Sequence, residues 1–369
     1  MGLVGVTFKA TTTSSETISS SVAAYIRRSS NASVSYAASP PKRRNGSKNT
    51  TFVELPLPNA SSPPISITAC CGIGHRLSRN IPAMIYAISN SRLVNPSWTG
   101  SPTNTNVAWD ILFNDTEQIK KGPEGKENYS NELPEKWASS PLAYSQPLTA
   151  PERFHGTTYG DYNEFTRTMF EMPLAHSIIK SLSDNLSSLV LSFLEPMRKQ
   201  YLGSELHVCV HLREGNNEAG EWEFKTWRHV DLMPILNSTL SAMKSFAGTE
   251  HATKVSVFVA SDSTKARPWF EKNVPASWRV VKPGKEVPRP ENGVWFGEHN
   301  SPTRLKLNQT ELDEAMSEAV ADVFALGECD ALYIPNYSSF SIVGISLTRA
   351  EGNKVFFLTA QKDEYIQYP

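Results

Sequence analysis

The chain has 369 residues, a formal charge of −1 and a pI near 6.7. That length exceeds one ordinary core and suits two domains with a tail. So even a charge balance excludes a global field that would draw the molecule onto nucleic acid or an acidic membrane, and any partner must be recognised locally. The four cysteines, at positions 70, 71, 209 and 329, match no zinc spacing and suggest no disulfide framework. There is no run of about 18 apolar residues and no basic segment leading into an apolar signal core, so the chain as written is expected to be soluble, with no membrane segment.

Residues 1–60 are rich in Ser, Thr, Asn and Pro around the basic group Lys42, Arg43 and Arg44, which reads as a disordered tail or stem. An N-terminal Rossmann-like domain is expected over 61–200. It opens with a strand at 65–70, the turn Cys71-Gly72-Ile73-Gly74, and a helix over 75–90 carrying Leu77, Ile81, Met84, Ile85 and Ile88 at helical spacing. From 93 to 174 the pattern is irregular, with one isolated apolar run at 108–113; a loop region of that length is expected to serve the acceptor. One helix is predicted over 175–201, its stripe set by Ile178, Ile179, Leu182, Leu186, Leu189, Val190 and Phe193, with a kink at Pro196.

From 201 to 369 strands and helices alternate. Strands are predicted at 206–212, 254–260, 278–281, 331–334 and 354–358, and helices at 230–247, 264–272, 311–326 and 339–349. Alternation of this kind implies a parallel doubly wound α/β sheet, a C-terminal Rossmann-like domain. The proline-rich insert at 282–310 falls at the carboxyl edge, where it would shape a pocket.

Several strand ends carry chemistry. The run Leu206-His-Val-Cys-Val-His-Leu-Arg213 finishes with His211 and Arg213 on one face by period-two alternation, and a guanidinium at a carboxyl edge suits a phosphate. A strand that simply ends in solvated charge would look the same. The Gly72/Gly74 turn, with His75 and Arg76 opening the following helix, offers close backbone approach and unpaired N–H groups to an anion; a plain tight turn is the alternative. Asp262, between Ser261 and Ser263, reads either as a helix cap or as a hydrogen-bond acceptor for a sugar or base. Asp322 lies opposite an apolar helix face, where an acid is usually solvent-facing. Ser338 and Ser339 begin a helix as caps or as a second anion cradle.

Taken in order, three stretches resemble the GDP-fucose-dependent fucosyltransferase superfamily, which includes protein O-fucosyltransferases and α1,6-fucosyltransferases. They are Gly72-Ile73-Gly74-His75-Arg76 with Asn90-Ser91-Arg92, then His211-Leu212-Arg213-Glu214-Gly215, then the run from Asp322 to Asp330 followed by Ser338-Ser339-Phe340. The resemblance implies a GT-B-like fold of two Rossmann-like domains facing a cleft, with GDP-fucose as donor substrate and neither cofactor nor metal. It implies that Arg213 binds the β-phosphate and stabilises departing GDP, with His211 beside it. Asp262 and Asp322 would contact the nucleotide, Ser338 and Ser339 phosphate, and the backbone of Gly72 and Gly74 would complete the diphosphate site from the other domain, next to the His75 and Arg76 candidates. The chain departs from the O-fucosyltransferase pattern at His75, where that family has asparagine, and at Asn216 or Asn217, where it has aspartate.

The expected function is therefore inverting, metal-independent transfer of fucose to a glycan or protein hydroxyl. The rivals are another nucleotide-sugar donor or a noncatalytic binding relative. Glu214, Glu221, Asp110 and Glu171 are available as a base, and none is singled out. Asn-X-Ser/Thr sequons begin at Asn31, Asn45, Asn49, Asn59, Asn114, Asn128, Asn185, Asn237, Asn308 and Asn336. Composition alone would give roughly four, an excess that points to an ER or Golgi lumen if an upstream anchor is missing; the alternative is accidental matches in a Ser/Thr-rich chain, several of them in segments expected to be buried, and a cytoplasmic protein if the chain is complete.

Overall fold

A computed structural model describes residues 52–62, 64–68, 73–97, 107–120, 170, 172–213, 232–285, 287, 308–335, 339–350 and 353–358. The N-terminal half contributes β1 (Ile65–Thr68), α1 (Ile73–Ser89) and β2 (Val94–Ser97), the strands pairing in parallel with Ile65 opposite Val94. Leu77, Ile81, Met84, Ile85 and Ile88 of α1 are all buried, as their spacing requires. The apolar run at 108–113 forms the single turn α2 (Trp109–Leu112), and Phe113 stacks on Trp109 and meets the edge of Phe324.

The single helix predicted over 175–201 is in fact two, α3 (Pro173–Asp184) and α4 (Ser188–Tyr201). The break comes at Asn185-Leu186-Ser187. Ser187 caps α4 by accepting from the Val190 N–H at 3.3 Å while its hydroxyl donates to the Ile111 carbonyl at 2.6 Å. Asn185 turns its amide back onto the Ser181 carbonyl at 2.8 Å. Short polar side chains that bond nearby backbone compete with helix continuation, and here they override an apolar stripe that runs through them. Pro196, where the kink was expected, lies within α4. Residues 52–62 strap this half together. Val53 N–H donates to Ser177 Oγ at 2.7 Å, Phe52 sets its ring edge-on to His176, and Asn59 N–H donates to the Ser91 carbonyl at 2.6 Å.

The second half winds β3 (Leu206–Leu212), α5 (Leu232–Thr249), β4 (Val255–Ser261), α6 (Ala266–Asn273), β5 (Arg279–Val281), α7 (Gln309–Ala325), β6 (Ala331–Pro335), α8 (Ile342–Ala350) and β7 (Lys354–Leu358) into one sheet. All neighbours are parallel, in the order β5-β4-β3-β6-β7. The predicted α/β class and parallel sheet are observed. β3 and β4 are near-continuous apolar runs because both faces are covered. Val208, Val210, Leu212, Val257, Val259 and Tyr333 pack under α5 and α6. Cys209, Phe258, Ala260, Leu332 and Ile334 belong to a second cluster that runs on through α4, α7 and α8 into α1, α2 and α3. One core thus joins the two halves.

Two joints hold that arrangement. Cys209 on β3 and Cys329 just before β6, both fully buried, are joined by a disulfide with Cα atoms 5.8 Å apart, a pairing the cysteine spacing alone had not suggested. Beside it, α8 lies close on the 3-10 turn 326–328, and Gly344 is what permits this: a Cβ there would come within 2.7 Å of Leu326 Cβ.

Candidate active site at the strand carboxyl ends

In chain order the five strands stand third, second, first, fourth, fifth across the sheet, so the winding direction reverses between β3 and β6. Open α/β sheets bind ligands outside the strand carboxyl ends at that reversal. β3 delivers His211 and Arg213 to this point, and the connection leaving β6 delivers the 3-10 turn Ser339–Ser341.

Register explains the first pairing. His211 lies opposite Ala260 and Leu212 opposite Ser261, so one residue further on Arg213 comes level with Asp262 on the same face. Their charged atoms, Arg213 Nη1 and Asp262 Oδ2, are 3.6 Å apart, beyond hydrogen-bonding length. The Arg213 side chain keeps 24% of its surface exposed, against 9% for Asp262. No hydrogen bond engages the Arg213 guanidinium among the described residues, so its planar fork of donors is held in place by one ion pair and otherwise uncommitted.

Asp262 is not a helix cap. Ser263 Oγ accepts from the Lys265 N–H at 3.2 Å, and Ser261 Oγ accepts from the Ser263 N–H at 3.0 Å while donating to the Leu212 carbonyl at 2.9 Å. Ser261 therefore ties the end of β4 to the residue before Arg213, and the two serines fix the loop that turns the Asp262 carboxylate toward the guanidinium.

His211 is 3% exposed, packed 5.0 Å from the Phe340 ring, with Nδ1 hydrogen-bonded to Ser341 Oγ. Burial, and next the charge of Arg213, push its pKa down to about 3. The ring is neutral at physiological pH. It can donate or accept through one nitrogen while Ser341 fixes the other, and it adds no charge to compete with Arg213.

α1, which begins at Ile73 and carries Gly74, His75 and Arg76 in its first turn, packs against the same 3-10 turn. Gly74 and Arg76 are both buried. Gly72 and Ser338 lie outside the described residues, as do the side chains of His75 and Ser339. Asp322 is not solvent-facing as its helix position suggested. It is 3% exposed on α7, and its charge helps to raise the pKa of the Tyr201 phenol, behind the larger effects of burial and Glu328. Tyr201 precedes β3, so this named neighbour stands toward the amino end of the sheet rather than beside Arg213. Of the candidate bases, Asp110 is exposed on α2, while Glu171, Glu214 and Glu221 lie outside the described residues. No group of three His, Cys, Asp or Glu among the described residues is placed to hold a metal.

Two residues of the site were not singled out in the sequence. Ser341 follows the Ser338-Ser339 pair that drew attention, and Ser261 looked like mere flanking polarity. The signal for Ser261 and for the Arg213–Asp262 pair lay in aligning two seven-residue strands by their ends.

No family model matches the sequence, and no curated protein matches it. Among solved structures, the chain is similar to NodZ α-1,6-fucosyltransferase soaked with GDP-fucose, at 15% identity and a TM-score of 0.45, covering 78% of this chain and 93% of that one. Fucosyltransferase NodZ from Bradyrhizobium gives 15%, 0.46, and coverage of 77% and 93%. POFUT1 in complex with GDP-fucose gives 14%, 0.42, and coverage of 82% and 99%. These are likenesses of chain course, and the functional reading rests on the residues of the site.

Proposed function

We propose that this chain is an inverting glycosyltransferase that moves fucose from GDP-fucose to a hydroxyl of a glycan or protein, with a GT-B-like arrangement in which the segment around Gly72 and Gly74 completes the diphosphate site. The observation that carries the reading is the uncommitted Arg213 fork at the strand reversal, level with Asp262 and beside a neutral His211. The three-part sequence resemblance selects the donor.

In this reaction the bond between fucose C1 and the β-phosphate oxygen breaks, and its electron pair leaves on GDP. The acceptor oxygen bonds to C1 from the opposite face and gives up its proton to a base. Positive charge grows on the sugar and negative charge on the diphosphate. Arg213 stays ionised and meets the negative charge as it develops, which makes it the catalytic residue, and no metal is needed for that task. Asp262 and Ser261 position it. His211, locked by Ser341, supplies a hydrogen bond without a charge.

Titration calorimetry with GDP, GDP-fucose and UDP, followed by transfer assays on glycan and peptide acceptors, tests the reading. GDP binding with fucosyl transfer is expected. Preference for UDP would transfer the site to another donor, and tight GDP-fucose binding without turnover on any acceptor would make the chain a binding relative.

A further inference from the structure

The ten sequons and the buried disulfide bear on a separate question, the covalent state of the chain, and do not depend on the donor reading. Five sequons fall on described residues, and against the expectation of burial four of their asparagines, Asn59, Asn114, Asn237 and Asn308, are exposed. An attached glycan cannot be folded into a core, so the sequons suited to carry one hold the asparagine side chain outside, with its amide nitrogen not tied to the backbone.

Three of the five fail that requirement. Asn185 is only partly exposed, and its Nδ2 donates to the Ser181 carbonyl at 2.8 Å. Asn237 Nδ2 donates to the Met233 carbonyl at 2.9 Å, one helical turn back on α5. Asn114 Nδ2 donates to the Leu186 carbonyl at 2.9 Å and thereby ties two segments together.

Asn59 and Asn308 satisfy it. At Asn59 the exposed Ser61 donates its hydroxyl and its backbone N–H to Oδ1, at 2.8 and 3.0 Å. At Asn308 the exposed side chain accepts the Glu311 N–H through Oδ1, and Thr310 is exposed. In both, the carbonyl oxygen is occupied, and Nδ2 has no partner among the described residues. Separately, Cys209 and Cys329 are paired in the core, a bond that reducing compartments do not sustain in ordinary proteins.

We infer that this chain is N-glycosylated at Asn59 and Asn308 and carries the Cys209–Cys329 disulfide, the joint products of an oxidising, glycosylating lumen. At each asparagine Nδ2 forms a bond to C1 of an oligosaccharide supplied on a lipid diphosphate. The C1–O bond of that donor breaks with its electron pair leaving on the diphosphate, and the amide releases one proton. The disulfide forms by exchange with a disulfide carrier, which is reduced as the two thiols are oxidised.

The test is peptide mapping of the full chain isolated without reductant from the cells that make it, before and after peptide-N-glycosidase treatment in 18O-water. Conversion of Asn59 and Asn308 to 18O-labelled aspartate, with a cross-linked Cys209–Cys329 peptide, is expected. Each of Asn59→Gln and Asn308→Gln should remove one glycan from the intact mass. Unmodified Asn59 and Asn308 overturn the glycan assignment, whether or not other sequons are filled, and free thiols at 209 and 329 overturn the lumenal one.

Discussion

The two ends of the five-stranded sheet are built on opposite electrostatic principles. At the amino end every charge named is spent within the protein. Arg198 reaches both oxygens of Glu328 and also Glu195; Glu205 takes the N–H groups of Thr253 and Lys254; Asp330 accepts the His207 N–H; and Lys354 lies against Glu250 and over the Phe246 ring. At the carboxyl end Arg213 has one partner at 3.6 Å, and the neighbouring histidine is kept uncharged. Saturated charges fasten strands and loops together, whereas a charge with donors left over is equipped to meet something from outside.

Four measurements break or sharpen that contrast. The largest effect belongs to the amino side, where Cys209 and Cys329 close a loop with a sequence separation of 120. Replacing both with alanine should cost about 5 kcal/mol of stability by loop-closure entropy, read as a lower denaturation midpoint under non-reducing conditions. A midpoint unchanged from the native chain would show that the bond does not form.

At the other end, Arg213→Ala should lower single-turnover transfer by roughly 10² to 10³ with little change in thermal stability, since its fork is not used in folding. Equal turnover would remove Arg213 from the mechanism, and a large loss of stability would make it a structural charge like Arg198.

The third measurement concerns pH. His211 has a folded pKa of about 3, below its unfolded value, so its contribution to stability is complete above about pH 6.5 and is lost as pH falls toward the folded value, at up to about 1.4 kcal/mol per pH unit. Denaturant titrations from neutral to acid pH should therefore be steeper for the native chain than for His211→Gln. Identical slopes would mean that the ring is hydrated.

The smallest effect is expected for Arg198→Ala. Its side chain is 33% exposed, so about 1 kcal/mol is the expected cost even with two carboxylates in contact, and the cost should shrink in salt. An effect as large as the disulfide's would show that this cluster acts as a buried network.

Where one force dominated, the sequence was a sufficient guide. Buried parallel strands read as apolar runs, and the alternation of β3, β4, β6 and β7 with their helices followed from periodicity. The carboxyl-edge placement of His211 and Arg213 followed from where the apolar run of β3 stops. What escaped needed a second strand for its meaning. The Arg213–Asp262 pair is set by the register of β3 on β4, and the Cys209–Cys329 bond by β3 lying next to β6, relations between residues far apart in the chain. The break at Asn185–Ser187 escaped for the opposite reason, since a local polar competition was masked by an unbroken apolar stripe.

The strap at 52–62 sets a practical boundary for anyone trimming the polypeptide. A version starting after residue 62 would strip away the N–H that Ser177 accepts and the aromatic edge set against His176, opening the back of α3 to water. Shortened forms that begin before residue 52 would keep that seam shut.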